Sequence, residues 1–520
     1  MIQQAADLYQ QKNYLQSANI CQQILREDAN NVNALHLLGV INYETGDYVH
    51  AIDYLKKAHQ LAKGNGEILI ALASCLRNTA QNDLALSYFH QALNLDEKNH
   101  SLRQQCAQSA LSISNPILAE KYITQLLIQA PNNAENWNLN GLLQRQNKQN
   151  PEAKQSFIKA IQLDDKRYSP RLNLASLLQD TGEFQAAKQH YTHVLTHAHE
   201  EKTPTDVLAK VHYNLGLMAL GEGNLENAWQ HIVKRPKPVT NTITSLSEIT
   251  NKKLLVIGEE GLGDELMFLR FLPALQKQCS EVSYLCNPKL KSVLQDFSNL
   301  QHVLSTDDPL PEHDARICLM DLPFILNCNN WHDMPGPIAL NTQMLDQLEN
   351  NKALNGLPEP FVGISWRAGM IDPSISQEKF LSKSIPLELF TKIFEDFQGT
   401  LVFLQRQPMQ SELNYLHSNL NATIFHAQDY NKHLRKMTLL LAQLHAYIGV
   451  SNTNMHLFAS LKKNACVMIP QPAEWRWLFE GETSPWYSDF TLARQDNTGD
   501  WSDALRQCKK YLQTNLKSLL

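Results

Sequence analysis

Small residues recur every 34 positions through the first part of the chain, at Ala5, Gly39, Ala73, Ala107, Gly141 and Ala175. A second small column follows twelve positions behind, at Ser17, Ala51, Ala85, Ala119, Ala153 and Ala187. Gly216 and Ala228 keep the offset of twelve but arrive seven residues late, the extra residues falling in the polar stretch around His199-Glu-Glu-Lys-Thr-Pro204. A fixed period of this length requires one structural unit repeated, and two small columns per unit require helices in close contact. A third column, Ala58, Ala92, Leu126, Ala160 and Val194, is apolar and falls in the second helix of each unit. Each unit therefore reads as a helix pair that buries one face on its neighbours.

Seven such units, spanning residues 1–233, resemble tetratricopeptide repeats. Asn31, Asn65, Asn99 and Asn133 form a further column in the turn before each first helix. That position favours helix capping over a ladder of ligand-binding amides. Arg77, Gln104, Asn138, Arg145 and Gln179 are the polar positions expected on the inner surface, which suits a trough for a protein partner.

The prolines of Lys234-Arg-Pro-Lys-Pro238 end the helical array, and 234–251 reads as a linker. From Lys252 the period changes. Leu254–Ile257, Val282–Leu285, Val303–Ser305 and Ile317–Met320 read as strands, with helices such as Leu290–Phe297 between them. After a Pro/Gly/Asn-rich patch, Phe361–Trp366, Thr400–Leu404, Thr423–His426, Ala446–Val450 and Ala465–Ile469 repeat the alternation. Strand–helix alternation implies parallel sheets, here two Rossmann-like domains, 252–355 and 356–520, facing a cleft. The last helix, from about Ser502 to Leu520, is expected to pack across both.

Two strand-to-helix loops differ in charge. In Gly258-Glu-Glu-Gly-Leu-Gly-Asp264-Glu265 the glycines Gly258, Gly261 and Gly263 permit a sharp turn, and Asp264 falls at a helix start. The glycine spacing does not match a dinucleotide loop, and four acidic residues would repel a diphosphate. The loop presents a carboxylate, with Asp264 either a helix cap or a general base. In Ser451-Asn-Thr-Asn-Met-His456 the capping residues carry no charge. Ser451, Asn452, Thr453 and Asn454 with the free helix amides suit an anion, and Arg367 and Lys383 could complete a diphosphate site. Arg406 follows the strand ending at Leu404, and the residue between them, Gln405, joins His456 as a donor-side candidate. Trp475-Arg-Trp477 and Ser484-Pro-Trp-Tyr487 cluster aromatics for the core or the cleft lip; Trp475 reads as core.

The net charge of −6 gives no reason to expect nucleic acid as a partner. Nine cysteines without a Cys-x-x-Cys pair argue for reduced thiols in the cytoplasm and against a zinc site. The greasiest segment, Leu439–Val450, is interrupted by Gln443 and His445 and is too short for a membrane span.

Residues 252 to about 505 resemble the heptosyltransferase-like glycosyltransferases (family nine) fused to tetratricopeptide repeats. Gly261-Leu-Gly-Asp-Glu-Leu-Met-Phe-Leu-Arg-Phe-Leu-Pro273 is similar to the family's first loop, whose aspartate is the proposed base. Lys383-Ser-Ile-Pro386 is similar to its phosphate-contacting basic motif. Ser451-Asn-Thr-Asn-Met-His-Leu457 resembles its Asp-Thr-x-x-x-His-Leu loop, with Asn452 in place of the aspartate. Trp475-Arg-Trp-Leu478 and Ser484-Pro-Trp-Tyr487 resemble the fused version. The resemblance implies an α-solenoid followed by an α/β GT-B fold. It also implies inverting, metal-independent transfer from a nucleotide-sugar, used as co-substrate with no cofactor. The architecture is similar to that of O-linked N-acetylglucosamine transferases and of bacterial fusions that modify flagellin or other surface proteins.

Overall fold

The computed structural model describes residues 1–200, 202–240, 242–295, 297, 300, 302–339, 353–368 and 383–516. The chain forms two compact units, Met1–Leu177 and Leu178–Leu520.

Helix pairs run in chain order from Ile2–Gln10 with Tyr14–Glu27 to Thr205–Gly221 with Leu225–Ile232, seven pairs among the described residues. The first small column has a direct steric cause. A Cβ on Gly39 would lie 2.5 Å from Leu55, on Gly141 2.5 Å from Phe157, and on Gly216 2.7 Å from Ile232. In each case the intruder is sixteen residues later, on the second helix of the same pair. The asparagine column caps first helices: Asn31 accepts from Ala34 N–H (3.1 Å), Asn65 from Ile68 (3.2 Å), Asn99 from Leu102 (3.0 Å) and Asn133 from Asn136 (3.2 Å). The inner polar positions bond from one repeat to the next. Arg77 donates to Gln105 and Gln108, Gln104 to Asn136 (2.9 Å), Asn173 to Asn138 (2.7 Å) and Arg145 to Ser176 (3.0 Å).

In the second unit β1 (Lys253–Ile257), β2 (Glu281–Leu285), β3 (His302–Leu304) and β4 (Ala315–Cys318) form a parallel sheet of order β3-β2-β1-β4. A second sheet has order β10-β11-β9-β8-β5-β6-β7. It contains β5 (Phe361–Ser365), β6 (Thr400–Phe403), β7 (Thr423–His426), β8 (Ala446–Val450), β9 (Ala465–Ile469), β10 (Thr483–Ser484) and β11 (Tyr487–Arg494). All of its pairings are parallel except β10 with β11. The first nine strands fall where the sequence places them, within two residues at each end. β11 does not: its Tyr487 belongs to the aromatic cluster Ser484-Pro-Trp-Tyr487 in the sequence, yet the strand pairs parallel to β9.

Three further expectations need correcting. The helix Ser502–Leu516 buries Ala504, Cys508, Tyr511, Leu512 and Leu516 in the core of the large sheet, rather than bridging two domains. The 234–251 segment is docked, not a free connector. Arg235 is 3% exposed and pairs with Glu259 and Asp321, Lys237 pairs with Asp321 at 2.7 Å, and Ile243 N–H donates to Arg316 O beside β4. The last helix pair joins the α/β core as well. Ala228, Trp229 and Ile232 share one apolar cluster with Phe268, Trp475 and Trp486, and Phe184 stacks on Phe479, so the compact unit takes in helices well before residue 234. Trp475 is indeed core. The cysteines are all free, and no helix among the described residues is long and apolar enough to cross a membrane.

Candidate functional site

The loop after β1 owes its shape to more than glycine flexibility. Its left-handed residue is Glu260 (φ 66°), and the glycines serve close approach instead. A Cβ on Gly258 would meet the Glu265 carboxylate, and one on Gly263 would lie 2.8 Å from the His456 ring. Asp264 is the third residue of the helix Leu262–Phe268. Its Oδ2 accepts from Gly261 N–H at 3.4 Å, a long capping bond. Its Oδ1 accepts from Arg476 Nε at 2.8 Å and also from Nη2 of the same guanidinium.

From Arg476 the network continues toward the large sheet. Arg476 Nη1 donates to Glu474 Oε2 at 2.9 Å, Lys383 Nζ lies 2.6 Å from the same oxygen, and Trp477 Nε1 donates to Glu474 Oε1 at 2.8 Å. The Ser451 side chain is also bonded to Glu474. Burial acts to raise the Glu474 carboxyl, but Lys383 and Arg476, with the hydrogen bonds, hold it well below the usual carboxylate range. Burial likewise opposes the Arg476 charge, and Asp264 and Glu474 outweigh it, keeping the guanidinium above its ordinary value. A cavity opens here at the carboxyl ends of β8 and β9, lined by Lys383, Ser451, Glu474 and Trp477 with Pro470 and Pro472. Ligands of open parallel sheets bind beyond this end of the strands.

The remaining candidates turn toward the fold. Arg367 binds Glu412 through Nε (2.8 Å) and Nη2 (3.1 Å) and donates to Gln407 O. Gln405 Oε1 accepts from the Trp366 and Arg367 amides (3.1 and 3.0 Å), tying the ends of β5 and β6 together. Asn452 caps the helix Thr453–Ser460 by accepting from Met455 N–H. Its amide also donates to Ser365 Oγ (2.9 Å), Tyr447 OH (3.1 Å) and Val450 O (3.1 Å). Asn454 donates to Asn431 at 3.2 Å, and Thr453 opens the helix partly exposed. His456 lies 2.7 Å from Tyr487 OH through Nδ1, and burial, with Arg476 nearby, pushes its pKa down to about 3, so the ring is neutral.

The structure thus brings Asp264, Lys383, Ser451 and His456 into one neighbourhood and sets Arg367, Gln405, Asn452 and Asn454 into bonds that shape the strand ends. Sequence reasoning misses Glu474, which it does not name, and Arg476, which enters it only within Trp475-Arg-Trp477. Charges wedged among large apolar side chains must find partners, and that was the available signal. It also missed Tyr213, from the last helix pair, which is hydrogen-bonded to Glu260 and close to Asp264.

The family model described as tetratricopeptide repeat matches residues 2–66. No curated protein matches the chain. Similar solved structures include a tetratricopeptide repeat protein from Parabacteroides merdae, 18% identical, covering 45% of this chain and 90% of that one, TM-score 0.41. Another is MamA from Desulfovibrio magneticus RS-1, 21% identical, covering 32% and 93%, TM-score 0.29. A third is YrrB, a TPR protein with an unusual peptide-binding site, 14% identical, covering 34% and 90%, TM-score 0.28. The helical array of this chain is built of tetratricopeptide repeats.

Proposed function

We propose that the α/β part is a GT-B-type glycosyltransferase that moves a sugar from a nucleotide-sugar to a protein acceptor recruited by the repeats, in the cytoplasm. The observation that carries this reading is a single guanidinium. Arg476 links Asp264, at the carboxyl end of β1, to the Glu474–Lys383 pair at the cavity beyond β8 and β9. The carboxylate assigned here as base and the cavity assigned here to the diphosphate are linked through two side chains, Arg476 and Glu474.

In the proposed reaction Asp264 accepts the proton of the acceptor hydroxyl as its oxygen attacks the anomeric carbon. The bond from that carbon to the diphosphate oxygen breaks, and the diphosphate leaves with the electron pair. Lys383, Arg476 and the amides at Thr453 meet the growing negative charge. His456, neutral and packed on Gly263, holds the Asp264 loop against the large sheet. Asp264→Asn should cut turnover by roughly 10²-fold with folding and donor affinity retained. Transfer at the undiminished rate would leave Asp264 a cap and partner of Arg476 only. A panel of nucleotide-sugars screened by thermal shift identifies the donor, since a ligand of the native state raises the melting point.

A second reading is a non-catalytic repeat scaffold with a degenerate transferase domain. The inward bonding of Arg367 to Glu412 and of Asn452 to Ser365 favours it, because both side chains are occupied by the protein itself. Absence of a shift with every nucleotide-sugar would move the balance to this scaffold.

A further inference from the structure

Glu474 is a carboxylate surrounded as a ligand would be. Its donors come from three separate stretches: Lys383 ahead of the helix Leu387–Phe390, Ser451 at the end of β8, and Arg476 and Trp477 in its own turn. Two cations and two neutral donors converge on two oxygens, and the group borders the cavity rather than lying sealed behind it. Asp321 is also held by two cations, Arg235 and Lys237, but it is fully buried, whereas Glu474 lines a cavity. Two cations with hydroxyl and indole donors, open to a cavity at the carboxyl ends of parallel strands, suit a phosphate group. Carboxylate and phosphate oxygens take the same donors at the same distances, so either can fill these positions.

We infer that Glu474 is an internal stand-in for an anionic ligand group, and that phosphate oxygens entering the cavity take over Lys383 and Arg476 as the Glu474 carboxylate withdraws. That the group is the diphosphate of a nucleotide rests on the sugar-transfer reading; the stand-in itself rests only on the geometry. The exchange sets a threshold. An anion binds only by displacing a carboxylate that already holds both cations, so weakly charged anions are rejected and a diphosphate is favoured. The same exchange also reaches Asp264, because the guanidinium that receives the phosphate is the one that holds the Asp264 carboxylate.

The test uses the full chain and inorganic pyrophosphate, titrated by calorimetry. Glu474→Gln keeps the shape and the Trp477 bond but removes the competing charge. It should bind pyrophosphate at least about tenfold more tightly than the unaltered protein, as expected when a competing state is removed. Adding Lys383→Ala to Glu474→Gln should abolish that gain. A folded Glu474→Gln protein that binds pyrophosphate no better, or a gain that survives Lys383→Ala, overturns the stand-in. Should Glu474→Gln fail to fold, Glu474→Asp draws the charge back from Lys383 by one methylene. A gain of about threefold then supports the inference and no gain refutes it. Titration with nucleotide-sugars separates the two readings. A pyrophosphate gain without nucleotide-sugar binding in any variant supports the stand-in and removes sugar transfer. Sugar transfer by the unaltered protein with no gain in Glu474→Gln does the reverse.

Discussion

The two strand-to-helix loops of the candidate site differ in sequence as acid from neutral, and in the structure that contrast nearly vanishes. Each of the four carboxylates of the first loop has a partner. Glu259 pairs with Arg235, Glu260 takes the Tyr213 hydroxyl, Glu265 accepts from Tyr284 OH (2.7 Å) and Asn287 N–H (3.2 Å), and Asp264 takes Arg476. The uncharged second loop lies beside Lys383, Glu474 and Arg476, and its Ser451 is bonded to Glu474. The formal charge of a loop is thus a poor guide to its potential. Compensation arrives from elsewhere, from 24 residues away for Glu259 and 212 for Asp264.

The comparison breaks most visibly at Arg235. Arg235→Met leaves Glu259 and Asp321 buried with Lys237 alone, and should destabilise the protein by about 3–5 kcal/mol in urea unfolding. A loss below about 1 kcal/mol would mean that the first loop is solvated and still acidic. In the same vein, a chain beginning at Thr240 lacks Trp229, Ile232 and Arg235 and should aggregate, whereas one beginning at Leu178 should fold.

The two loops should also respond to pH with opposite sign. His456 is depressed in the folded protein, so its contribution is present above the unfolded value near 6.5 and is lost as pH falls toward about 3. This group alone should cost about 2 kcal/mol between pH 7 and pH 5, a slope that His456→Gln should lack. Glu265 is raised by burial, against the pull of Tyr284 and Asn287. Its contribution is therefore full below the unfolded carboxylate value and fades as pH rises through the folded one. Urea midpoints at several pH values for each variant would expose equal slopes, which this account forbids.

Tyr284→Phe removes the hydroxyl donor from Glu265 and should cost about 1–3 kcal/mol, read as a lower melting temperature. Asn452→Asp should change stability least, by less than about 1 kcal/mol. The carboxylate still caps the helix, and the Ser365 and Tyr447 hydroxyls can turn to donate to it. A larger loss would show that the Asn452 amide donor to Val450 O is indispensable.

Much of this was legible in the chain. The 34-residue columns report sterics inside one helix pair, so Gly39 and Leu55 can be read from one stretch of sequence. The central strands are short apolar runs bounded by turn residues, and they fell into place. β11 did not, because Trp486, Tyr487 and Phe490 carry an aromatic signal that core and strand share. The site was legible only in its loops. Asp264 and Ser451 announce themselves beside a turn, while the Arg476–Glu474 pair that joins them comes from a segment whose tryptophans read as packing. Pairings across such separations carry no local pattern, and the buried roles of Arg235, Arg367 and Gln405 were invisible for the same reason.

The docking of the last helix pair has a consequence for how such a chain can change over generations. Phe479 stacks on Phe184 with ring centroids 3.7 Å apart and fills the space that Gly221 leaves, and Trp229 donates to Cys328 O at 2.8 Å. Recombination that duplicates or deletes one 34-residue unit within the first 177 residues replaces one repeat contact by an equivalent one. The same event between about Phe184 and Ile232 would tear these bonds out of the α/β core. The array should therefore lengthen and shorten among relatives only upstream of about Phe184, because the helices from there on are bound to the α/β half and inherited with it.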